Sequence, residues 1–462
     1  MNLVWLRNDL RLDDNPALYH ACQQGQPVAV LYCITPTQWR LHHESPIKLG
    51  FRQDALNQLG QALAQRGIPL EVIQAARFDD LPGCIVDHCI QRGIRKLWFN
   101  EEIPVDERHR DQQVVEALSD AGVRYEMQVS DQILPQPVFN QQGAYFKVFT
   151  PWYRAWLKQL PEIGDCTLPE PEAIAPPLPA PAAIALPGSE PYRRDLWPAD
   201  EQHALSRLTH FVQERRARYS ECRDIPSING TSGLSPYLAN GLLSPRRCLQ
   251  VIRQLATMDG WEWRDDPWLR ELGWREFYRY LMIGFPRLSR NQPFKLQTRA
   301  LQWERNEEGV VAWQQGRTGF PLVDAGMRQL RQTGWMHNRL RMLTASFLCK
   351  LLLVDWRIGE AFFMEQLLDG DFASNNGGWQ WSASTGCDAS PWFRIFNPTR
   401  QSERFDPEGQ FIRTLIPELA TVENRLIHNP PPALREQLGY PQPVIDYRQA
   451  RERVLERFRV LT

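Results

Sequence analysis

VAVLYCITPTQWRLHHESPIKLGFRQDALNQLGQALAQRGIPLEVI, residues 28–73, switches from a β-type run to a helical period and back, and this decides the fold of the first part of the chain. Val28 to Cys33 and Leu70 to Ile73 are short apolar runs of strand type. Between them, SPIK opens a helix with Ser45 as candidate N-cap and Pro46 at the first helical position. Leu56, Leu59 and Leu63 share one face, and Gly67 stops it. Leu3 to Leu6, Lys96 to Asn100 and Arg124 to Gln128 repeat the strand signal, so residues 1–130 are expected to form a Rossmann-like α/β domain with a doubly wound parallel sheet. Ligands of such sheets sit at the carboxyl ends of the strands, near the topological switch point. The chain has no G-x-G, so the usual dinucleotide-binding turn is absent.

Outward from the sheet, residues 131–200 are expected to connect two domains. Residues 161–198 hold ten prolines in 38 positions, including APPLPAP, which predicts an extended connector. Residues 201–462 turn helical in pattern and hold 11 of the 17 tryptophans. That part has 35 basic against 29 acidic residues, although the whole chain of 462 residues has a net charge of -1. A basic half suits a polyanionic partner. Only six of the 53 basic residues are Lys, and Arg is the better bidentate phosphate ligand, but a coding bias gives the same ratio. The nine cysteines include no C-x-x-C, so reduced thiols and a cytoplasmic location are expected rather than a zinc site or a secreted scaffold. No signal-peptide core follows Met1 and no 18-residue apolar run occurs, so neither export nor a membrane span is expected.

Three segments carry chemistry. Gly230-Thr-Ser-Gly-Leu-Ser235-Pro236 precedes a helical pattern and offers backbone N–H groups and hydroxyls to an anion such as a diphosphate; a plain helix cap is the commoner meaning of such a loop. Trp335-Met-His-Asn-Arg-Leu-Arg-Met342 places Asn338 and Met342 on one helix face, with Arg339 and Arg341 diverging and His337 read as structural. Asp369-Gly-Asp-Phe-Ala-Ser-Asn-Asn-Gly-Gly-Trp-Gln-Trp381 gathers two acids, two amides, paired glycines and two indoles, too polar a set for an ordinary core segment.

With LVWLRNDLRLDDNPAL (3–18) and FRIFNPTRQSERFD (393–406), these strings resemble the photolyase and cryptochrome family over essentially the whole chain, most closely the class I, bacterial-type cyclobutane pyrimidine dimer photolyases. The resemblance implies an all-α C-terminal domain that binds FAD and DNA, joined by the proline-rich linker to the α/β domain. Tyr219 and the loop Thr231, Ser232, Gly233, Leu234, Ser235 would take the FAD phosphates and ribose. Asp369, Gly370 and Asp371 would flank the ribityl and ring, Arg341 would be their counter-charge, and Asn375 would face flavin N5. Trp274 and Trp381 would sandwich the dimer, Glu271 would hydrogen-bond a pyrimidine edge, and Asn338, Arg339 and Met342 would line the cavity. Arg275 and Tyr278 would join the DNA contacts, while Arg223 and Arg394 would grip flanking phosphates.

The implied chemistry is one-electron: excited FADH⁻ reduces the flipped-out dimer, the cyclobutane bonds break, and the electron returns. Trp379, Trp356 and Trp303 match the family's electron-hopping chain. His42, Asp106 and Glu107 match a folate-binding pattern for a light-harvesting antenna, although Asp106 stands where Asn is expected and Ser289-Arg290 where Cys-Lys occurs. 5,10-Methenyltetrahydrofolate is the expected antenna, with a deazaflavin or other flavin as alternatives. The expected partner is DNA containing pyrimidine dimers, bound by a monomer with no membrane and no obligatory protein partner. A cryptochrome photoreceptor and a (6-4) photolyase are the rival activities. Asn375, the Met342 and Trp381 pair, and the lone His337 of the HNRLRM string argue against them.

Overall fold

The computed structural model describes residues 1–160 and 167–459. The start of the proline-rich stretch, 161–166, lies outside the described residues. Five strands, β1 (Asn2–Leu6), β2 (Val28–Ile34), β3 (Leu70–Gln74), β4 (Lys96–Asn100) and β5 (Arg124–Gln128), form one parallel sheet in the order β3-β2-β1-β4-β5. This is the expected doubly wound sheet, with its switch point between β1 and β4. β1 and β2 are buried along their whole length, which is why they read as unbroken apolar runs.

The helix Pro46–Ala64 starts where SPIK predicts, but for a different reason. Ser45 makes no capping hydrogen bond, and its buried hydroxyl has no partner. Pro46, whose ring presets the helical φ, fixes the start instead. Residues 167–200 contain no helix or strand, as their prolines require, yet they are not a free spacer. The Asn57 side chain donates to Ile184 O (3.1 Å) and accepts from Ile184 N (2.7 Å), pairing with the strap as a neighbouring strand would. Gln53 Oε1 accepts from Leu186 N at 2.8 Å, and Arg66 Nε donates to Pro171 O at 3.0 Å. Gln53 and Asn57 on the helix, and Arg66 just past its end, thus tie the strap down.

The chain forms two compact units that cut across chain order. The first contains Met1–Arg216, Ser232–Arg290 and Leu368–Ala373; the second contains Ala217–Thr231, Asn291–Leu367 and Ser374–Thr462. The second is helical around a core that includes Trp313, Leu340, Phe347, Trp356, Phe363 and Trp379. No described helix is long and apolar enough to cross a membrane.

In the first unit, the loop after β1 joins the sheet to the helix Pro245–Asp259. Asp14, 0 % exposed, accepts from Ser244 Oγ, from Arg246 Nε at 3.0 Å and from Leu168 N at 3.0 Å. Arg11 donates to Asp14 O (3.0 Å), Ser130 Oγ (2.5 Å) and Gly241 O (3.0 Å). Glu276, also buried, accepts from Ile133 N, Leu134 N and Trp156 Nε1. Removing one partner of such a buried set leaves an uncompensated charge, so Asp14→Ala should lower unfolding stability by about 3–5 kcal/mol in urea or guanidinium titrations.

Candidate functional site

In the first unit, the 232–235 loop and the 368–371 segment are each held by groups from elsewhere in the chain. Arg207 Nε donates to Ser232 O at 3.3 Å, and Ser232 Oγ accepts from Leu234 N at 3.4 Å just before the short helix Ser235–Ala239. Asn240 Nδ2 donates to Leu368 O (3.2 Å), and Lys48 Nζ donates to Gly370 O (2.6 Å). Asp371 accepts both terminal nitrogens of Arg279, at 3.2 and 2.6 Å, and Arg279 also binds Asp131. Arg279, Lys48 and Asn240 were absent from the sequence-based site. Their partners lie 92, 322 and 128 positions away, and no local pattern marks such pairings.

The helix Pro267–Gly284 begins at Asp266, whose carboxylate accepts from Trp268 N (2.8 Å) and Leu269 N (3.0 Å). Glu271, Trp274, Arg275 and Tyr278 recur at helical spacing and are all half-buried, while Leu272, Gly273, Glu276, Phe277, Arg279 and Tyr280 are buried. One stripe therefore carries four of the expected contacts. The Trp274 ring stacks on Phe149 with centroids 3.7 Å apart and planes 7° from parallel, which fixes the indole face. Arg275 is tied to Asp131 through its carboxylate and its carbonyl oxygen (2.9 Å).

In the second unit, Asn338 and Met342 share one side of the helix Asn338–Ser346, with Asn338 Nδ2 4.0 Å from Met342 Sδ. His337 is structural: its Nδ1 accepts from Arg339 N at 3.2 Å as the N-cap, and burial lowers its pKa to about 4, which keeps the ring neutral. Arg339 pairs with Asp224 at 2.7 Å and lies over the Phe405 ring at 4.3 Å. Arg341 Nε donates to Met336 O at 2.8 Å. Tyr219 is buried with the Arg223 guanidinium 5.4 Å from its ring, and Gly230 lies so close to Cys222 that a Cβ there would sit 2.5 Å from the Cys222 Cβ. Arg394 is exposed.

On the helix Phe372–Ser382, Ser374, Asn375, Gly378 and Trp381 form a half-buried stripe. Asn375 Nδ2 donates to Glu360 O at 3.0 Å, which turns its carbonyl oxygen away as an acceptor. Gly378 has nothing within 4 Å of where a Cβ would stand, leaving room for a planar group against the backbone. An acceptor beside open space fits the polar edge of a flavin. Glu360 was not foreseen. Burial raises its pKa to about 7 against the opposing bond from Asn376 Nδ2 (2.8 Å). Trp379 and Trp356 are 2 % and 1 % exposed in one apolar cluster; Trp303 is partly buried and packs against that cluster and against Phe458.

The three residues expected at the antenna meet in the first unit. His42 Nε2 lies 3.2 Å from Asp106 and its Nδ1 3.3 Å from Glu107. His42 and Glu107 border a cavity of about 60 Å³ at the carboxyl ends of β1 and β2, lined also by Arg7, Arg52 and Arg110, while Asp106 stands outside that lining. The turn Pro286–Arg290, with Ser289 and Arg290, packs against the helix Val105–Asp120 that carries Asp106 and Glu107. Burial opposes a charge on His42, but Glu107 and Asp106 outweigh it and raise the pKa to about 9. The folded value lies above the unfolded one, so this contribution to stability is complete below pH ~6.5 and is lost as pH rises through about 9. Chemical denaturation of wild type and His42→Gln should therefore converge across that window; a constant difference up to pH 10 would remove the ion pair from the account.

The FAD binding domain of DNA photolyase matches residues 268–460, and the DNA photolyase domain matches residues 2–181. The deoxyribodipyrimidine photo-lyase of Salmonella typhimurium is 43 % identical over 461 residues, covering 97 % of this chain and 96 % of that one. That of Escherichia coli is 43 % identical over 98 % of this chain and 97 % of its own. A bacterial class III photolyase from Agrobacterium tumefaciens superposes with a TM-score of 0.86 at 32 % identity, covering 100 % of this chain and 97 % of that one. A cryptochrome from Synechocystis gives 0.85 at 28 % identity, covering 99 % and 98 %. Two family domains, full-length relatives at this identity, and a parallel sheet followed by a helical FAD-binding region place the chain in the DNA photolyase family.

Proposed function

We propose that this chain repairs cyclobutane pyrimidine dimers in DNA by light-driven electron transfer. The observation that carries the reading is the stripe Glu271, Trp274, Arg275, Tyr278, in which an indole held flat by Phe149 lies one turn from a carboxylate. An apolar face beside an acceptor suits an unstacked pyrimidine pair, which costs a few kcal/mol to extrude and less when the lesion already stacks poorly. Trp381, Asn338 and Met342 would complete the dimer contacts, and Arg223 and Arg394 would hold the flanking phosphates. Arg339, in the lining of the dimer cavity, and Arg275, among the DNA contacts, already carry the carboxylates of Asp224 and Asp131, so each would exchange or share that partner when DNA binds.

FAD, when bound, supplies the one-electron chemistry. Tyr219 and the Thr231, Ser232, Gly233, Leu234, Ser235 loop would hold its phosphates, and Arg341, Asp369, Gly370 and Asp371 the ribityl side. Asn375 would present its free carbonyl oxygen to a protonated ring nitrogen. Trp379, Trp356 and Trp303 would pass an electron inward from the surface. Residues 1–130 would serve the antenna, and 201–462 the flavin and DNA. His42, Asp106 and Glu107 would hold 5,10-methenyltetrahydrofolate at the lip of the sheet, since the cavity of about 60 Å³ is well below the roughly 300 Å³ at which small-molecule pockets begin. The protein would act as a cytoplasmic monomer on DNA, with no obligatory protein partner.

Illuminated, pre-reduced protein should clear dimers from irradiated DNA; binding without loss of dimers would sink the reading. Trp303→Phe should abolish most light-driven reduction of oxidised flavin while sparing repair by pre-reduced protein, and equal loss of both would remove Trp303 from the relay. Acid extraction followed by absorption spectra should yield FAD and a folate; a second flavin in the extract would overturn the antenna assignment.

A further inference from the structure

Lys350 is one of only six lysines among 53 basic residues, and it is 1 % exposed. It lies in the wide helical turn Phe347–Leu351 of the second unit, beneath the turn 391–394. Its Nζ donates to Arg394 O at 3.0 Å and Pro391 O at 3.5 Å, and no carboxylate is among its partners in the described residues. A buried ammonium needs partners, and here they are two peptide carbonyls of one turn.

The same turn is fixed at several other points. Arg394 N donates to Pro391 O (2.9 Å), and Ser390 N donates to Trp381 O (3.2 Å). Trp392 packs on the small cluster of Leu301, Leu353, Val454 and Phe458. Opposite the ammonium the turn faces outward: Phe393 is 62 % exposed and Arg394 is exposed.

We propose that Lys350 is a positioning residue for DNA binding: by drawing the carbonyls of Pro391 and Arg394 inward, it holds the Arg394 side chain outward toward a phosphate of the damaged strand. This rests on the assignment of Arg394 as a phosphate contact. The groups facing the ammonium are the Cys349 thiol on its own turn, Lys295, and Arg394 itself; burial, reinforced by the two cations, lowers the Lys350 pKa to about 8. The clamp is therefore strongest below pH 8 and relaxes as the amine loses its proton.

The test measures the affinity of the FAD-loaded full chain for a dimer-containing duplex as a function of salt and pH, with repair at saturating DNA read in parallel. Arg394→Gln should lower the slope of log K against log salt by about one phosphate. Lys350→Met should do the same with the flavin spectrum and saturated repair rate unchanged, and the double variant should fall no further than Arg394→Gln alone. If Arg394→Gln leaves the slope intact, the phosphate contact itself is wrong and the proposal falls with it. If Arg394→Gln acts while Lys350→Met does not, or their effects add, the clamp alone is overturned. Should Lys350→Met lose its flavin, Lys350→Arg decides: wild-type affinity should drop through pH 8 and the arginine variant should not. A parallel drop in both overturns the proposal.

Discussion

The carboxylate of Asp14 lies fully inside the protein with the guanidinium of Arg246 against it and Arg11 on its backbone carbonyl, and the first unit is organised around that charge set. Taking such ions from water is repaid only when every polar atom finds a partner. Here the partners come from the loop after β1, from Ser130, from Leu168 and from the helix Pro245–Asp259. Ion pairing thus fixes where the helices between Ser232 and Arg290 rest, and these helices carry Glu271 and Trp274. A greasy interface could slide; a set of directional bonds to one carboxylate cannot.

Much of this was legible in the chain. The strands fell within one residue of their expected runs; β1 and β2, buried on both faces, read as continuous hydrophobicity, whereas the edge strands β3 and β5 are half-buried or exposed. Pro46 marked a helix start correctly while Ser45 suggested the wrong cause, since burial takes the serine hydroxyl out of the cap. The proline run correctly excluded regular structure from 167–200, but nothing in it announced that Gln53 and Asn57 would bind it, because those amides look like ordinary exposed helix polar residues. In the candidate site, the strings identified the family, and period alone put Asn338 with Met342. Arg279, Lys48 and Glu360 escaped notice because each acts on a backbone or side-chain group remote in sequence.

The site residues share a design. Trp274, Asp371 and Asn375, each expected to meet a ligand, are half-buried, and the groups that orient them are buried: Phe149 behind Trp274, Arg279 behind Asp371, Glu360 behind Asn375. Their rotamers are fixed before anything binds, so less conformational entropy remains to be lost on association. Glu360, raised to about 7, shows the other side of that arrangement, a carboxyl whose burial is tolerated for the sake of Asn376.

The first unit is discontinuous, closing only with Leu368–Ala373. Asp14 and Arg246 are 232 residues apart, so at about 5–20 residues per second a ribosome needs roughly 10–50 s to deliver the second ion after the first. For that interval the nascent sheet carries an unmatched acid cluster in its first loop. A protein made in this order depends on its early polar loop staying hydrated, and on its sheet staying unaggregated, until the helix that neutralises it leaves the exit tunnel.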